Sequence, residues 1–273
     1  MSGPKKCRLR WFLISNLDKF VCIKNIGMKV VVRTLVFIYQ WLVFVPVLIV
    51  LTLITALTVM IFSPIFGNKF WGYYPPKWWS KLVCWFALCR IKSFGHENLN
   101  PKQSYVFVAN HQGAFDIFLV YGFLNQNIKW VQKQSLRRIP FVGKASEIAG
   151  HVFVDNSSPK ARARTILEVK KQIVDGVSVM MFPEGSRTKT GKLGRFHKGA
   201  FQIAIDLKLP IVPLTINGSY DVLSVNSLLI RPGKLELIIH QPISTQNLTE
   251  EDIPSLMGQT EEIIAAGLWP KYK

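Results

Sequence analysis

Acidic residues are scarce in this 273-residue chain: 16 Asp and Glu stand against 34 Lys and Arg, a formal net charge of +18. Such a balance disfavours cationic partners and favours anionic ones. Cysteine is scarce too, and Cys7, Cys22, Cys84 and Cys89 form neither a Cys-x2-Cys pair nor a disulfide framework, which leaves reduced thiols as the default. There is no Gly-x-Ser-x-Gly elbow, so a serine nucleophile of that type is excluded. Internal repeats and low-complexity segments are absent. No RNA or DNA recognition motif accompanies the positive charge, and 49% hydrophobic content turns the expected anionic partner from nucleic acid to a membrane.

Residues 35–62 contain no formal charge at all, a longer run than the roughly 20 residues needed to cross a bilayer core. This is a membrane segment, too extended for a cleaved signal peptide. Lys19, Lys24, Lys29 and Arg33 precede it, Lys69, Lys77, Lys81, Arg90 and Lys92 follow, and no acidic residue lies between Val21 and His96. A single crossing would put one basic cluster outside, against the positive-inside tendency. A helical hairpin or in-plane pair keeps both on one side, with Pro46 kinking the first segment and the stretch from Trp78-Trp79 to Trp85-Phe86 as an interfacial helix from which Lys81 and Arg90 snorkel. Both arrangements stay open. Before this segment the chain shows no clear periodicity, and Met28 would serve as an alternative start.

After the anchor the pattern alternates. Tyr105-Val106-Phe107-Val108-Ala109 and Val177-Ser178-Val179-Met180-Met181-Phe182 read as buried strands, as do 211–216 and 235–240. Helices are expected at 117–124, from Ser158-Pro159 to about 174 with Gly176 past the end, at 199–207 and at 261–266. That alternation is an α/β domain.

Two strand ends carry the chemistry. In Asn110-His111-Gln112-Gly113-Ala114-Phe115-Asp116, five residues at about 100° each would leave His111 and Asp116 roughly 140° apart on one helix. His111 therefore belongs to the turn and Asp116 to the first helical turn, where its carboxylate can fix the imidazole tautomer and leave the other nitrogen free to take a proton. His96, His151, His197 and His240 lack such a partner nearby and read as structural or solvated.

The second motif, Phe182-Pro183-Glu184-Gly185-Ser186-Arg187, follows the next strand. Gly185 relaxes the backbone, Ser186 offers a hydroxyl, and the Arg187 guanidinium suits phosphate oxygens. Glu184 is expected to hold Arg187 or a neighbouring basic residue in place. The run Gly191-Lys192-Leu193-Gly194-Arg195-Phe196-His197-Lys198-Gly199 lacks the Gly-Lys-Ser/Thr ending of a nucleotide loop. It reads as a solvated basic loop or a contact for a thioester cofactor.

Together these motifs resemble the glycerolipid acyltransferase family, and within it the 1-acyl-sn-glycerol-3-phosphate acyltransferases. Four blocks occur in family order between Ser93 and His240: Asn110 to Asp116; Lys133-Gln134-Ser135-Leu136 through Pro140-Phe141-Val142-Gly143 to Gly150-His151-Val152-Phe153-Val154-Asp155; Phe182 to Arg187; and Ile211-Val212-Pro213-Leu214-Thr215-Ile216-Asn217. One departure is Asn156 where the family usually has Arg after the aspartate, with Arg162 and Arg164 following on the expected helix.

The resemblance implies a mixed sheet flanked by helices and preceded by a hydrophobic helical membrane anchor. It implies His111 as base with Asp116 as its partner, and Lys133, Glu184, Gly185, Ser186 and Arg187 around a substrate phosphate. The implied reaction moves an acyl group from acyl-CoA or acyl-carrier protein to the sn-2 hydroxyl of 1-acyl-sn-glycerol 3-phosphate (lysophosphatidic acid), giving phosphatidic acid in phospholipid biosynthesis, with no bound cofactor or metal. No cysteine lies in these blocks, so transfer is direct rather than through an acyl-enzyme. The expected partners are lysophosphatidic acid, the thioester donor and an anionic membrane, with no nucleic acid. Another lysophospholipid or glycerol 3-phosphate as acceptor, or a catalytically silent lipid-binding protein, remain the alternatives. The expected division is a basic extension at 1–34, an anchoring segment at 35–92 and an α/β domain at 93–273 on the cytoplasmic face.

Overall fold

The computed structural model describes residues 31–154, 158–173 and 176–273. The expectations for the basic extension up to residue 30, for Met28, Lys24, Cys7 and Cys22, for Asn156 and for the Arg162 side chain lie outside what is described. A first unit ends at Pro46 and a second comprises Val47–Lys273.

One helix, Val31–Phe66, is long and apolar enough to cross a membrane, with mean hydropathy 2.8. It contains a π-helical segment, Gln40–Phe44, in which the Val45 N–H reaches the Gln40 carbonyl. Pro46 follows at once and has no N–H to give, so the helix widens where the usual ladder is interrupted. From there α1 (Val45–Phe66) continues. Its large side chains Ile49, Ile54, Leu57, Ile61 and Ile65 are exposed, whereas its buried positions are Val59 and the small Ala56 and Ser63. Apolar residues turned outward while small ones pack inward is the distribution of a lipid-facing helix.

Helix α2 (Tyr74–Phe86) starts with Pro75-Pro76 in its first turn, where missing N–H groups cost nothing. It packs along α3 (Phe115–Phe123), buries Ser80, Val83 and Cys84, and leaves Tyr74, Trp78, Leu82 and Trp85 outward, with Lys81 Nζ 5.2 Å from the Trp78 ring. Arg90 does not snorkel from this helix. It opens β1 (Arg90–Phe94), an edge strand whose side chains alternate between exposed and part-buried, so the sheet claims the last residues of the expected 35–92 segment.

The sheet has seven strands, adding β2 (Val106–Ala109), β3 (Ile128–Lys133), β4 (Val152–Val154), β5 (Ser178–Met181), β6 (Ile211–Asn217) and β7 (Lys234–Ile239), in the order β1-β7-β6-β2-β5-β3-β4. Every pair is parallel except β6–β7. It is thus a mixed sheet flanked by helices. Strands β2 and β6 are buried along their whole length, which is why they read as continuous apolar runs rather than as alternating ones. Val106, Val108 and Val179 share a core cluster with Phe201 of α6 (Gly199–Asp206) and with Leu256 and Ile264 of α8 (Ile253–Gly267). The short α4 (Val142–Ile148) and α5 (Pro159–Gln172) flank β4, and α7 (Ser219–Leu223) follows β6.

Candidate active site

Strands β2 and β5 are parallel neighbours, with Val108 opposite Met181, so the loops that follow them leave the sheet on the same edge and side by side. After β2 the chain goes to β3, beyond β5, whereas after β5 it goes to β6, on the other side of β2. Each connection passes the neighbouring strand in the opposite direction from the other, and both loops stand at the carboxyl ends of the strands, where α/β sheets hold ligands. Both sequence motifs sit there, with His111 and Glu184 73 residues apart in the chain yet adjacent in space.

Asn110 pins the first turn: its side chain donates to the Ile216 carbonyl at 2.9 Å and accepts the Ile216 N–H at 2.8 Å, both buried. His111 follows in the turn, and Asp116 stands in the first turn of α3, fully buried. Its Oδ2 lies 2.7 Å from His111 Nδ1 and accepts the Gly113 N–H at 2.9 Å. Gly113 has no room for a side chain, since a Cβ would lie 2.7 Å from Ser219 O. The imidazole is 14% exposed, and its Nε2 has no hydrogen-bond partner among the described residues. A carboxylate on Nδ1 selects the tautomer with the proton there and leaves the Nε2 lone pair open.

Glu184 does not clamp Arg187. Its carboxylate is buried and joins the two loops through backbone: Oε1 accepts the His111 N–H at 2.7 Å, and Oε2 accepts the Gly194 N–H at 3.0 Å. Buried against these amides, the carboxylate makes no contact with the exposed Arg187 among the described residues. Burial pushes its pKa up to about 7 while the two N–H bonds oppose that rise. Gly194 must be glycine for this approach, because a Cβ there would come within 2.5 Å of Glu184 Oε2. A further bond, Thr188 N–H to the His111 carbonyl at 2.8 Å, completes the joint.

Phe182 closes the site from one face. Its ring stacks on the His111 imidazole with centroids 3.9 Å apart and planes 7° from parallel, and Trp130 stacks on Phe182 at 5.6 Å. Such contact holds the imidazole plane and favours it when it carries positive charge. Sequence reasoning missed this stack and the Glu184 bridge. An aromatic residue at the strand end, followed by the acidic residue of a tight turn, was the available signal.

The remaining site residues are at the surface. Gly185, at φ +67, Ser186 and Arg187 line the exposed rim of the second loop, and Lys133 ends β3 on the same sheet edge. No side-chain contact joins Lys133 to Arg187 among the described residues. Arg164 is exposed on α5. None of the other four histidines has a carboxylate partner among the described residues. His96 bonds Ser93 and His240 bonds Thr215, while the half-buried His151 takes the Trp130 N–H and is pushed down to about pKa 3 by desolvation and by Lys129. His197 is exposed, but its N–H bonds Pro183, so it flanks the second motif.

An acyltransferase family model matches residues 90–217. These residues, and with them both motif loops, are similar in sequence to an acyltransferase domain. Similar proteins include a 1-acyl-sn-glycerol-3-phosphate acyltransferase of Cocos nucifera, 32% identical over 63% of this chain and 56% of its own length. The chloroplastic 1-acyl-sn-glycerol-3-phosphate acyltransferase LPAT1 of Arabidopsis thaliana is 32% identical over 72% of this chain and 54% of its own. The chain spans about half the length of these relatives. The crystal structure of the 1-acyl-sn-glycerophosphate (LPA) acyltransferase PlsC from Thermotoga maritima superposes with a TM-score of 0.72 at 26% identity, covering 87% of this chain and 95% of that chain. The acyltransferase fold therefore extends beyond the matched family segment.

Proposed function

We propose that this chain transfers an acyl group from a thioester, acyl-CoA or acyl-carrier protein, to the sn-2 hydroxyl of 1-acyl-sn-glycerol 3-phosphate, forming phosphatidic acid for phospholipid synthesis. The observation that carries this reading is the 2.7 Å contact of His111 Nδ1 with Asp116, which leaves Nε2 unpartnered at the shared edge of β2 and β5. Nε2 takes the proton of the acceptor hydroxyl as its oxygen attacks the thioester carbonyl. The new C–O bond forms, the C–S bond breaks, and the proton passes from Nε2 to the departing thiolate. Asp116 stabilises the transient imidazolium, and the Phe182 face does the same from the side. Glu184 acts through backbone, by holding the His111 loop against the loop of residues 182–194.

Arg187, Ser186, the Gly185 backbone and, across the sheet edge, Lys133 receive the acceptor phosphate; their exposure and charge support that role. The helix containing α1 anchors the protein in an anionic bilayer with the α/β domain on its cytoplasmic face, consistent with the excess of basic residues. Labelled lysophosphatidic acid offered with acyl-CoA and with acyl-carrier protein tests the assignment. Labelled phosphatidic acid carrying the donor's acyl group at sn-2 is expected, and its absence with both donors overturns the reading.

A further inference from the structure

The connection that leaves β3 is apolar where a water-facing loop would be polar. Gln134–Arg138 form a 3-10 turn, and within the next residues Leu136, Ile139 and Phe141 are 38%, 43% and 51% exposed. Phe141 is also held at φ +61, a conformation that a bulky side chain rarely adopts, and its ring points largely out of the protein. Cations surround these three side chains: Lys133, Arg137, Arg138 and Lys144 lie within the same stretch, against the single acidic Glu147. Glu147 pairs with Arg137 and with Lys144, so Lys133 and Arg138 remain without an ion pair among the described residues.

The place of this loop in the fold narrows what can cover it. Phe141 caps α4, and Ala145 and Ala149, at and just beyond that helix, pack directly on Ala56 and Val59 of α1. The exposed apolar loop is thus fastened to the helix that faces lipid. It also leaves the same strand edge as His111, one strand beyond β5. We propose that residues 134–141 dock on the bilayer as a second membrane contact, with Leu136, Ile139 and Phe141 entering the interface and Arg138 meeting anionic headgroups. Aromatic and aliphatic side chains framed by basic ones are the composition of an interfacial contact. A lipid acceptor then reaches the site without its acyl chain crossing water. The proposal rests on the reading of α1 as a membrane anchor.

The test uses the full chain, freed of its cysteines, with a nitroxide at position 139 or 141, in vesicles of phosphatidylcholine and phosphatidylglycerol. A third label at position 57 of α1 reports on the anchor independently. Relaxation at 139 and 141 is expected to respond more to oxygen than to a water-soluble nickel complex. The opposite response at those positions overturns the proposal, and with lipid immersion at 57 the anchor reading survives alone. Water exposure at 57 removes the anchor reading instead. Spin–spin broadening between labels on different copies at 139 or 141 would also overturn it, since a second copy would then cover the loop. Hydrogen exchange on the unsubstituted protein supplies a check free of any folding defect: amides of 134–141 should gain protection when these vesicles replace a zwitterionic detergent, and unchanged exchange contradicts the proposal.

Discussion

Replacing Glu184 by Gln keeps the shape of a buried side chain and removes one acceptor. In the native site each carboxylate oxygen receives a backbone N–H, from His111 at 2.7 Å and from Gly194 at 3.0 Å, and Gly194 stands too close for the group to turn away. An amide presents one oxygen and one NH2, so in either orientation a backbone donor faces another donor. Losing one of these bonds and stranding a buried N–H costs about 3 kcal/mol. For a domain of this size that lowers the melting temperature by roughly 6–12 °C. Because the stranded donor belongs to the His111 or Gly194 backbone, turnover should fall as well, by roughly 10²-fold if the imidazole shifts. The pH dependence supplies a signature. Glu184 is raised by burial to about 7 from its ordinary 4.5, so the folded state holds the proton more tightly than the unfolded chain. Its contribution is therefore most favourable below about pH 4.5 and declines as pH rises towards 7. Gln has no such titration, and the stability gap between the two proteins should narrow from pH 5 to pH 8. Thermal unfolding of both in detergent, followed across that range, reads it directly. Equal melting temperatures at pH 6 with equal turnover would refute the bridge, and a gap that widens with pH would refute the assigned titration.

Other substitutions separate the remaining roles. Phe182→Leu removes the stacked face that favours the imidazolium; kcat should drop several-fold, about the worth of an exposed cation–π contact, with both KM values nearly fixed because that charge arises only in the transition state. Steady-state kinetics with both substrates varied checks this, and a change confined to KM would place Phe182 in binding. Arg187→Ala should chiefly raise KM for lysophosphatidic acid while sparing the donor, with Lys133→Ala acting the same way more weakly. If the donor KM rises instead, the two phosphate assignments must be exchanged.

How much of this was legible depends on how local each determinant is. The turn position of His111 and the first-turn position of Asp116 follow from their spacing, since no continuous helix brings residues five apart together. Glu184 was assigned to Arg187 or a neighbouring basic residue because these are close to it in sequence. Its true partners are backbone amides, one of them 73 residues away, and backbone has no signature in a sequence. The Phe182–His111 stack depends in the same way on the pairing of β2 with β5, which no single segment encodes. Helix α8 was read only at 261–266, whereas it begins at Ile253. Pro254 occupies its first turn, where proline is tolerated, and Gly258 faces open space. Arg90 was read as a snorkelling side chain because basic residues crowd that stretch, but the alternation of Arg90, Lys92 and Phe94 belongs to an edge strand paired with β7.

The central claim is that His111 takes a proton from a lipid hydroxyl. Its most direct test is single-site: wild type and His111→Ala, each shown to be folded, are reconstituted in vesicles with labelled lysophosphatidic acid and an acyl thioester, and phosphatidic acid is counted. Loss of the base should lower turnover about 10²- to 10⁴-fold, and Asp116→Asn somewhat less. A folded His111→Ala protein that retains more than about a tenth of wild-type turnover would contradict the account.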